Sequence, residues 1–150
     1  MNKESFAFYI AILRKYFVSY CTEKISDLGV TYSQLFVLIY ISKKKECSSK
    51  EIVEYLKLDA GQLNRTLAKL LEKDLIIQRK NSNDRRFNIL SLTKNGIKIV
   101  EESHKLFYSW DEQVLSDLDD DSRQELMNLM KKLVFNLNEK NGGKQNEQIK

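Results

Sequence analysis

Residues 75–96 read LIIQRKNSNDRRFNILSLTKNG, and this stretch decides the fold. Two short segments rich in apolar residues, 75–80 and 87–92, flank a cluster of turn-forming residues at 81–84. Short, partly alternating segments around a polar turn predict a β-hairpin, here with a basic tip.

In the remainder of the chain, apolar residues recur in steps of three and four, which is the spacing of helices that pack on one face. The 150 residues include no proline and five glycines, which argues against a loop-rich β fold. Residues 5–27 form the first predicted helix, and Gly29 is its left-handed stop. Capping residues mark where the later helices begin: Thr31 with Gln34, Ser48 with Glu51, Asp59 with Gln62, Thr93, and Asp119.

The predicted order is two helices, a short helix, a fourth helix, the hairpin and two more helices. This is a helix-turn-helix followed by a wing, so the expected fold class is mainly α with a small β-hairpin wing. We predict a single domain over residues 1–138, with the winged helix at about 30–93. Residues 139–150 are rich in Asn, Gly, Lys and Gln, which predicts a disordered tail.

Charge is distributed unevenly along the chain, whose formal net charge is +4. Between residues 43 and 94, thirteen Lys and Arg stand against seven Asp and Glu. Between 111 and 125, seven acidic residues stand against one arginine. A basic middle indicates a surface that faces a polyanion, and the alternative is a pair of ordinary solvated faces.

The fourth predicted helix is the candidate DNA-reading helix. If its leucines face the core, helical geometry turns the polar residues near its N-terminus outward. The side chains of Gln62 and Asn64 can pair with adenine and that of Arg65 with guanine, each contact discriminating by about 1–3 kcal/mol. The alternative is a solvated polar face that binds nothing. The predicted DNA contacts of the helix-turn-helix are Ser49, Gly61, Gln62, Asn64, Arg65 and Lys69.

The stretch 75–96 resembles the wing of MarR-family transcription regulators. The family's Asp-x-Arg tip is present as Asp84 and Arg86, and an arginine, Arg79, ends the first strand. A Leu-Thr-x-x-Gly step follows, from Leu92 to Gly96. The resemblance extends in element order over about residues 5–138, and its specific motif lies in the wing.

The resemblance implies that the wing contacts DNA through Arg79, Asp84, Arg85 and Arg86. Asp84 would hold the tip so that an arginine reaches a phosphate or the minor groove. Asp74 departs from the family pattern, which commonly has glycine there, but aspartate tolerates left-handed geometry better than most residues.

The resemblance also implies a homodimer held by interlocking terminal helices, at about 5–27 and 94–138. Such a dimer would bind double-stranded DNA at a pseudo-palindromic operator, with half-sites ~34 Å apart. The alternative is a monomer whose terminal helices pack on its own core. Apolar residues of these helices that need partners include Phe6, Tyr9, Phe17, Phe107, Trp110, Leu133 and Leu137.

Family members hold small phenolic or lipophilic effectors, so the resemblance implies a repressor that such a molecule releases. The aromatic candidates for an effector pocket are Tyr16, Tyr20, Tyr32, Phe36 and Tyr40, with a core role as the alternative. Cys21 on the first helix raises a second alternative, a redox-sensing regulator, although its apolar neighbours favour an inert thiol.

Several classes of function have no support in the sequence. Two scattered cysteines and the one histidine, His104, make no metal site, and there is no nucleotide-binding glycine loop or carboxylate cluster. We therefore expect no enzyme activity, no cofactor and no metal. No run reaches the ~18 apolar residues of a membrane span, so the expected compartment is the cytoplasm. A winged helix used only for protein contacts remains the competing class.

Overall fold

The computed structural model describes residues 4–84 and 86–148, so the expected DNA contact at Arg85 lies outside the described residues. The described chain is mainly helical with one small antiparallel sheet, which confirms the predicted fold class. The helices are α1 (Phe6–Ile25), α2 (Tyr32–Lys44), α3 (Ser49–Leu56), α4 (Ala60–Glu72), α5 (Lys94–Val114) and α6 (Asp120–Gln148). The strands are β1 (Cys47–Ser48), β2 (Ile76–Lys80) and β3 (Asn88–Leu92).

The sheet contains one strand that the sequence does not predict. β1 pairs antiparallel with β3, with Cys47 opposite Leu90, and the strand order is β1-β3-β2. Two residues carry no recognisable period, so only the tertiary pairing defines this strand. β2 and β3 form the predicted hairpin, in which Arg79 lies opposite Ile89.

The helices begin at the predicted caps. Thr31 and Ser48 each form a reciprocal capping box with the residue three positions later. The Asp59 Oδ2 atom accepts a hydrogen bond from the backbone N of Gln62 at 2.9 Å. Each cap satisfies a backbone N–H that the helix leaves unpaired, which is worth about 1 kcal/mol.

Helix α2 lies at the centre of the core. Its residues Leu35, Val37, Leu38 and Ile41 are fully buried, as its continuous apolar run predicts. The other fully buried large side chains come from the neighbouring elements and include Ile25, Ile52, Leu63, Leu70 and Leu90. This core joins α4 and the sheet to the same central helix.

Met1–Trp110 and Asp111–Lys150 form two compact units, with the division inside α5. The single domain expected over residues 1–138 stays a prediction. In the second unit, no described side chain of α6 is buried. The described helix extends to Gln148, and the disordered tail expected from residue 139 stays a prediction. Glu, Lys and Gln are good helix formers, and a continuing helix accommodates the glycines at 142 and 143 at a cost of about 1 kcal/mol each.

Gly96 lies where no side chain fits. A Cβ atom at this position would overlap the backbone carbonyl oxygen of Leu75. Beside it, the hydroxyl of Thr93 donates to the carbonyl of Asp74 at 2.7 Å, and the Thr93 backbone N donates to that of Leu75 at 3.1 Å. Asp74 has a φ of 58°, the left-handed conformation expected from the family pattern. The Leu-Thr-x-x-Gly step therefore packs the start of α5 against the chain that leaves α4.

We expect Gly96→Ala to lower the free energy of unfolding by about 1–3 kcal/mol, because the added Cβ must displace backbone rather than a flexible side chain. Urea titration followed by far-UV circular dichroism measures the loss. Asn95→Ala is the matched control, since Asn95 is exposed and its removal should cost less than about 0.5 kcal/mol. Equal midpoints for the two variants would contradict the close packing.

Candidate nucleic-acid interface

Helix α4 presents a polar surface opposite a buried leucine stripe. Leu63, Leu67 and Leu70 are buried against the core. Because these positions are three and four residues apart, the side chains between them face away from the protein. The exposed residues on that face are Gln62, Asn64, Arg65 and Lys69, as the sequence predicts.

The turn that leads into α4 is formed by a left-handed lysine. Lys57 has a φ of 55°, and its backbone N–H bonds back to the carbonyl of Val53. Asp59 then caps α4, and a Cβ at Gly61 would lie 3.1 Å from its Oδ2 atom. With alanine at 60 and glycine at 61, no long side chain projects from the first two positions of α4, at the end where the helix dipole favours an anion.

The wing tip is oriented by an ion pair between Asp84 and Arg86. Arg86 donates from Nε to Asp84 Oδ1 at 3.0 Å and from Nη2 to Oδ2 at 2.8 Å, and its backbone N donates to Oδ1 at 3.1 Å. These hydrogen bonds from Arg86 lower the pKa of Asp84 below its ordinary value, so the carboxylate stays ionised. The Arg86 side chain is 83% exposed. The tip thus presents a cation in a defined orientation.

Backbone hydrogen bonds close the same tip. The backbone N of Asn81 donates to the carbonyl of Phe87 at 3.0 Å, and that of Phe87 donates to Asp84 at 3.2 Å. The Arg86 guanidinium lies 5.7 Å from the centre of the Phe87 ring. The hairpin therefore ends in a compact turn.

Arg79 has a partner inside the protein. Its Nη2 atom lies 2.8 Å from Oε1 of Glu46, the residue before β1. Arg79 and Gln78 are consecutive residues of β2, so their side chains leave opposite faces of the sheet. In the structure, this ion pair links β2 to the residue that precedes β1. The expected DNA contact at Arg79 stays a prediction.

A crevice of about 190 Å³ separates α4 from the wing sheet. Its polar lining consists of Ser49, Asn64, Gln78 and Asn88. The sequence predicts Ser49 and Asn64 as functional residues but misses Gln78 and Asn88. The face on which a strand residue lies depends on register, and Gln78 lies opposite the buried Leu90. The sequence did contain one signal for Gln78: it lies two residues after the buried Ile76, so both side chains project from the same face of β2.

The MarR family model matches residues 28–86, which span α2, α3, α4, β2 and the wing tip. Over 131 residues, the chain is 36% identical to the HTH-type transcriptional regulator BilQ of Clostridium symbiosum. That match covers 87% of this chain and 91% of the relative. The chain belongs to the MarR family. It is a transcriptional regulator with a DNA-binding winged helix, and its curated relatives are regulators rather than enzymes.

Solved MarR structures have the same fold. One crystal structure of MarR matches with a TM-score of 0.86 at 21% identity, covering 95% of this chain and 97% of that one. A variant of MarR from E. coli, crystallised in complex with operator DNA, matches with a TM-score of 0.73 at 27% identity. The second match covers 85% of this chain and 91% of that chain. The family resemblance predicted from the wing motif is therefore confirmed.

In this MarR-family chain, aromatic rings from α1, α2 and α5 form a cluster around Phe17. The centroid of the Phe17 ring lies 5.3–6.3 Å from those of Tyr32, Phe36, Phe107 and Trp110. The sequence does not identify Phe17 as the centre, because helical spacing alone does not say which rings of different helices meet.

The five residues expected to line an effector pocket do not all come together. Tyr20, Tyr32 and Phe36 belong to the cluster around Phe17, with Tyr20 joined through Trp110. Tyr16 is exposed. Tyr40 instead packs on Tyr55, with the two ring centroids 4.8 Å apart. Contacts of this kind are those of a packed core, and the effector role of Tyr20, Tyr32 and Phe36 stays a prediction.

Both cysteines are free and buried. Burial raises the pKa of Cys21 and of Cys47 to about 11. Each thiol is therefore protonated at neutral pH and is a poor nucleophile, which disfavours the redox alternative at Cys21. Within residues 4–84 and 86–148, no group of three or more His, Cys, Asp or Glu is placed to hold a metal ion.

Among the described helices, none is by itself long and apolar enough to cross a membrane. One bent pair, Phe6–Leu28 with Tyr32–Lys44, meets the criteria of length and composition jointly. The second helix of that pair is the central core helix α2, most of whose apolar residues are buried.

We expect the native Cys21 thiol to react with iodoacetamide about 100-fold more slowly at pH 8 than in the unfolded chain. A pKa raised from 9.0 to about 11 lowers the thiolate fraction by that factor. Mass spectrometry of the Cys47→Ser variant isolates the rate at Cys21. The rate should keep rising with pH up to about 11, and a native rate equal to the unfolded rate at pH 8 would refute the assignment.

Proposed function

We propose that this MarR-family regulator is a homodimeric repressor that binds a pseudo-palindromic operator through α4 and the wing. One observation carries the proposal. Asn64 of α4 and residues Gln78 and Asn88 of the two wing strands line the same crevice, so α4 and the wing present neighbouring surfaces of one compact unit. A polar helix beside a wing with an oriented cation suits adjacent grooves of a DNA duplex.

The geometry of α4 supports its entry into the major groove, which is ~12 Å wide. The small residues at its N-terminal end allow α4 to approach the DNA backbone closely, and Gln62 and Arg65 are exposed in the same turns. Lys69 lies one turn further along, with its Nζ atom 3.5 Å from Oε2 of Glu72. We assign base contacts to Gln62 and Arg65, and a phosphate contact to Lys69.

The wing supplies the second contact. Arg86 keeps its guanidinium exposed while Asp84 fixes its direction, and this arrangement suits a phosphate or the minor groove. An exposed ion pair of this kind contributes little to stability, so its value lies in orientation. The E. coli relative crystallised with operator DNA supports the same mode of binding for this chain.

Exposed apolar side chains on the terminal helices support the homodimer. α1 exposes Phe6, Phe8 and Leu13, and α6 exposes Leu133 and Leu137. A soluble monomer rarely presents this much apolar surface, and a second copy of the chain would cover it. Two-fold symmetry then requires two half-sites of related sequence, about one helical turn or ~34 Å apart.

We further propose that the protein represses transcription by occupying its operator. A small aromatic or lipophilic effector would release it from the DNA. The effector site would lie at the aromatic cluster, where Phe17 of α1 meets Tyr32 and Phe36 of α2. Such a ligand would act by binding one arrangement of these helices more tightly than the DNA-binding arrangement. Thermal shift in the presence of small phenols tests this part separately.

The competing function is a winged helix used only for protein contacts. The oriented Arg86 and the exposed Arg65 favour DNA. Salt discriminates between the two, since neutralising phosphates makes DNA affinity fall steeply with ionic strength. Binding to a duplex that stays constant from 50 to 200 mM salt would support the protein-contact function.

We expect Arg86→Ala to lower affinity for a selected operator by at least about tenfold, and Arg65→Ala to reduce sequence preference more than it reduces non-specific binding. Arg65 is assigned a base contact, whereas Arg86 contributes mainly through charge and position. Fluorescence anisotropy measures both, using a duplex selected from genomic fragments by the wild-type protein and an unrelated duplex of equal length.

The matched control is Arg123→Ala, because Arg123 donates to Glu112 at 2.9 Å within the second unit and is assigned no role in DNA binding. Circular dichroism establishes that each variant is folded. Operator affinity retained in Arg86→Ala would remove the wing from the proposal. A parallel fall for both duplexes in Arg65→Ala would reduce Arg65 to a phosphate contact.

We expect the wild-type protein to sediment as a dimer, and Leu133→Asp with Leu137→Asp to shift it toward monomer, because a carboxylate on an apolar interface is strongly unfavourable. Sedimentation velocity at several concentrations measures the change. Asn128→Asp on the same helix is the control, since it adds a single carboxylate at an exposed polar position. A monomeric wild-type protein would overturn the dimer.

A further inference from the structure

The crevice between α4 and the wing is lined by both polar and apolar side chains. Ser49 of α3, Asn64 of α4, Gln78 of β2 and Asn88 of β3 supply the polar side chains. Leu67 and Leu71 of α4 and Leu90 of β3 belong to the same lining. Four elements therefore contribute to one space of about 190 Å³, room for about six water molecules at ~30 Å³ each.

The polar groups of the crevice have no partners within the described protein. The side chains of Ser48, Asp59 and Thr66 form hydrogen bonds at the ends and along the length of α3 and α4, but these residues do not line the crevice. Among the described residues, neither the hydroxyl of Ser49 nor the amides of Asn64, Gln78 and Asn88 bond to another residue. These side chains supply a row of hydrogen-bond donors that a ligand can use.

We infer that this crevice receives a sugar–phosphate segment of the operator, held by the amides of Asn64, Gln78 and Asn88. The inference rests on the proposed function. If α4 enters the major groove and the wing reaches the minor groove, the strand that separates the two grooves passes between these elements. The crevice lies in that position, and serine, asparagine and glutamine side chains are common donors to phosphate oxygens.

The absence of charge in the lining decides which ligand fits. Among the described residues, no lysine or arginine lines the crevice, so a free small anion would find no charged group there to hold it. A DNA strand needs none at this point, because the cations of α4 and the wing tip bind elsewhere along it. The neutral donors then set the register of the protein on the duplex, and they carry no sequence information themselves.

This assignment changes the role of Asn64. Sequence reasoning pairs its amide with adenine, whereas the structure directs it to the crevice that it shares with two amides of the wing. We assign it a backbone contact. Base readout is then left to Gln62 and Arg65, which do not line the crevice.

Variants of the two wing amides test the inference in the full-length protein. The probes are the duplex selected by the wild-type protein and an unrelated duplex of equal length. We expect Gln78→Ala and Asn88→Ala each to weaken binding to both duplexes by about fivefold, the loss of one neutral hydrogen bond. The slope of affinity against salt should keep its wild-type value, since no counterion release is lost. Asn88→Asp should weaken binding further, because its carboxylate would face a phosphate.

Asn95→Ala is the matched control, an exposed amide beside Gly96 at the start of α5. Circular dichroism and thermal unfolding should match the wild type, since neither Gln78 nor Asn88 is fully buried. Unchanged affinity in both alanine variants, or a loss confined to the selected duplex, would overturn the backbone contact. A wild-type protein that binds neither duplex would instead defeat the proposed function, so the two failures are distinct.

Discussion

The structure depends on the junction where the chain leaves α4. The backbone of Leu75 packs against Gly96 so closely that a Cβ atom has no room. The left-handed Asp74 turns the chain, and the hydroxyl of Thr93 fastens its carbonyl at 2.7 Å. Lys73 adds hydrogen bonds to the carbonyl of Gly29 at 2.8 Å and to Oε1 of Gln34 at 3.0 Å. These contacts hold the start of β2, the start of α5 and the beginning of α2 against the C-terminal end of α4.

This junction explains how the other end of α4 can be open and polar. Leu63, Leu67 and Leu70 supply the packing on one face, so the opposite face of the N-terminal turns can stay polar and exposed. The wing follows the same rule, since Ile76 and Leu90 are buried at its base while the tip is stabilised by local hydrogen bonds around Asp84. Rigid support at one end and exposed donors at the other suit recognition of a rigid partner such as duplex DNA.

The exposed donors fall into two kinds. Arg65, Lys69 and Arg86 are cations, and binding through them should depend strongly on salt. The amides of Asn64, Gln78 and Asn88 line the crevice and are neutral, so the contribution proposed for them is geometric. A protein that combines both kinds finds DNA through charge and fixes its position through hydrogen bonds that salt does not screen.

The sequence by itself determined the elements and most of their ends. Capping boxes at Thr31 and Ser48, the stop at Gly29 and the hairpin turn are local events, and a few consecutive residues contain the physics of each. The wing motif at Asp84 and Arg86 is local in the same sense, so its ion pair and its family could be recognised without coordinates.

Only the tertiary structure decided which residues from distant segments meet. The pairing of β1 with β3, the partnership of Arg79 with Glu46, and the crevice amides at Gln78 and Asn88 depend on strand register. The separation of Tyr40 from the aromatic cluster depends on how helices pack. Register and packing are properties of the whole core, because each side chain's neighbours are set by elements far away in sequence, and no local pattern encodes them.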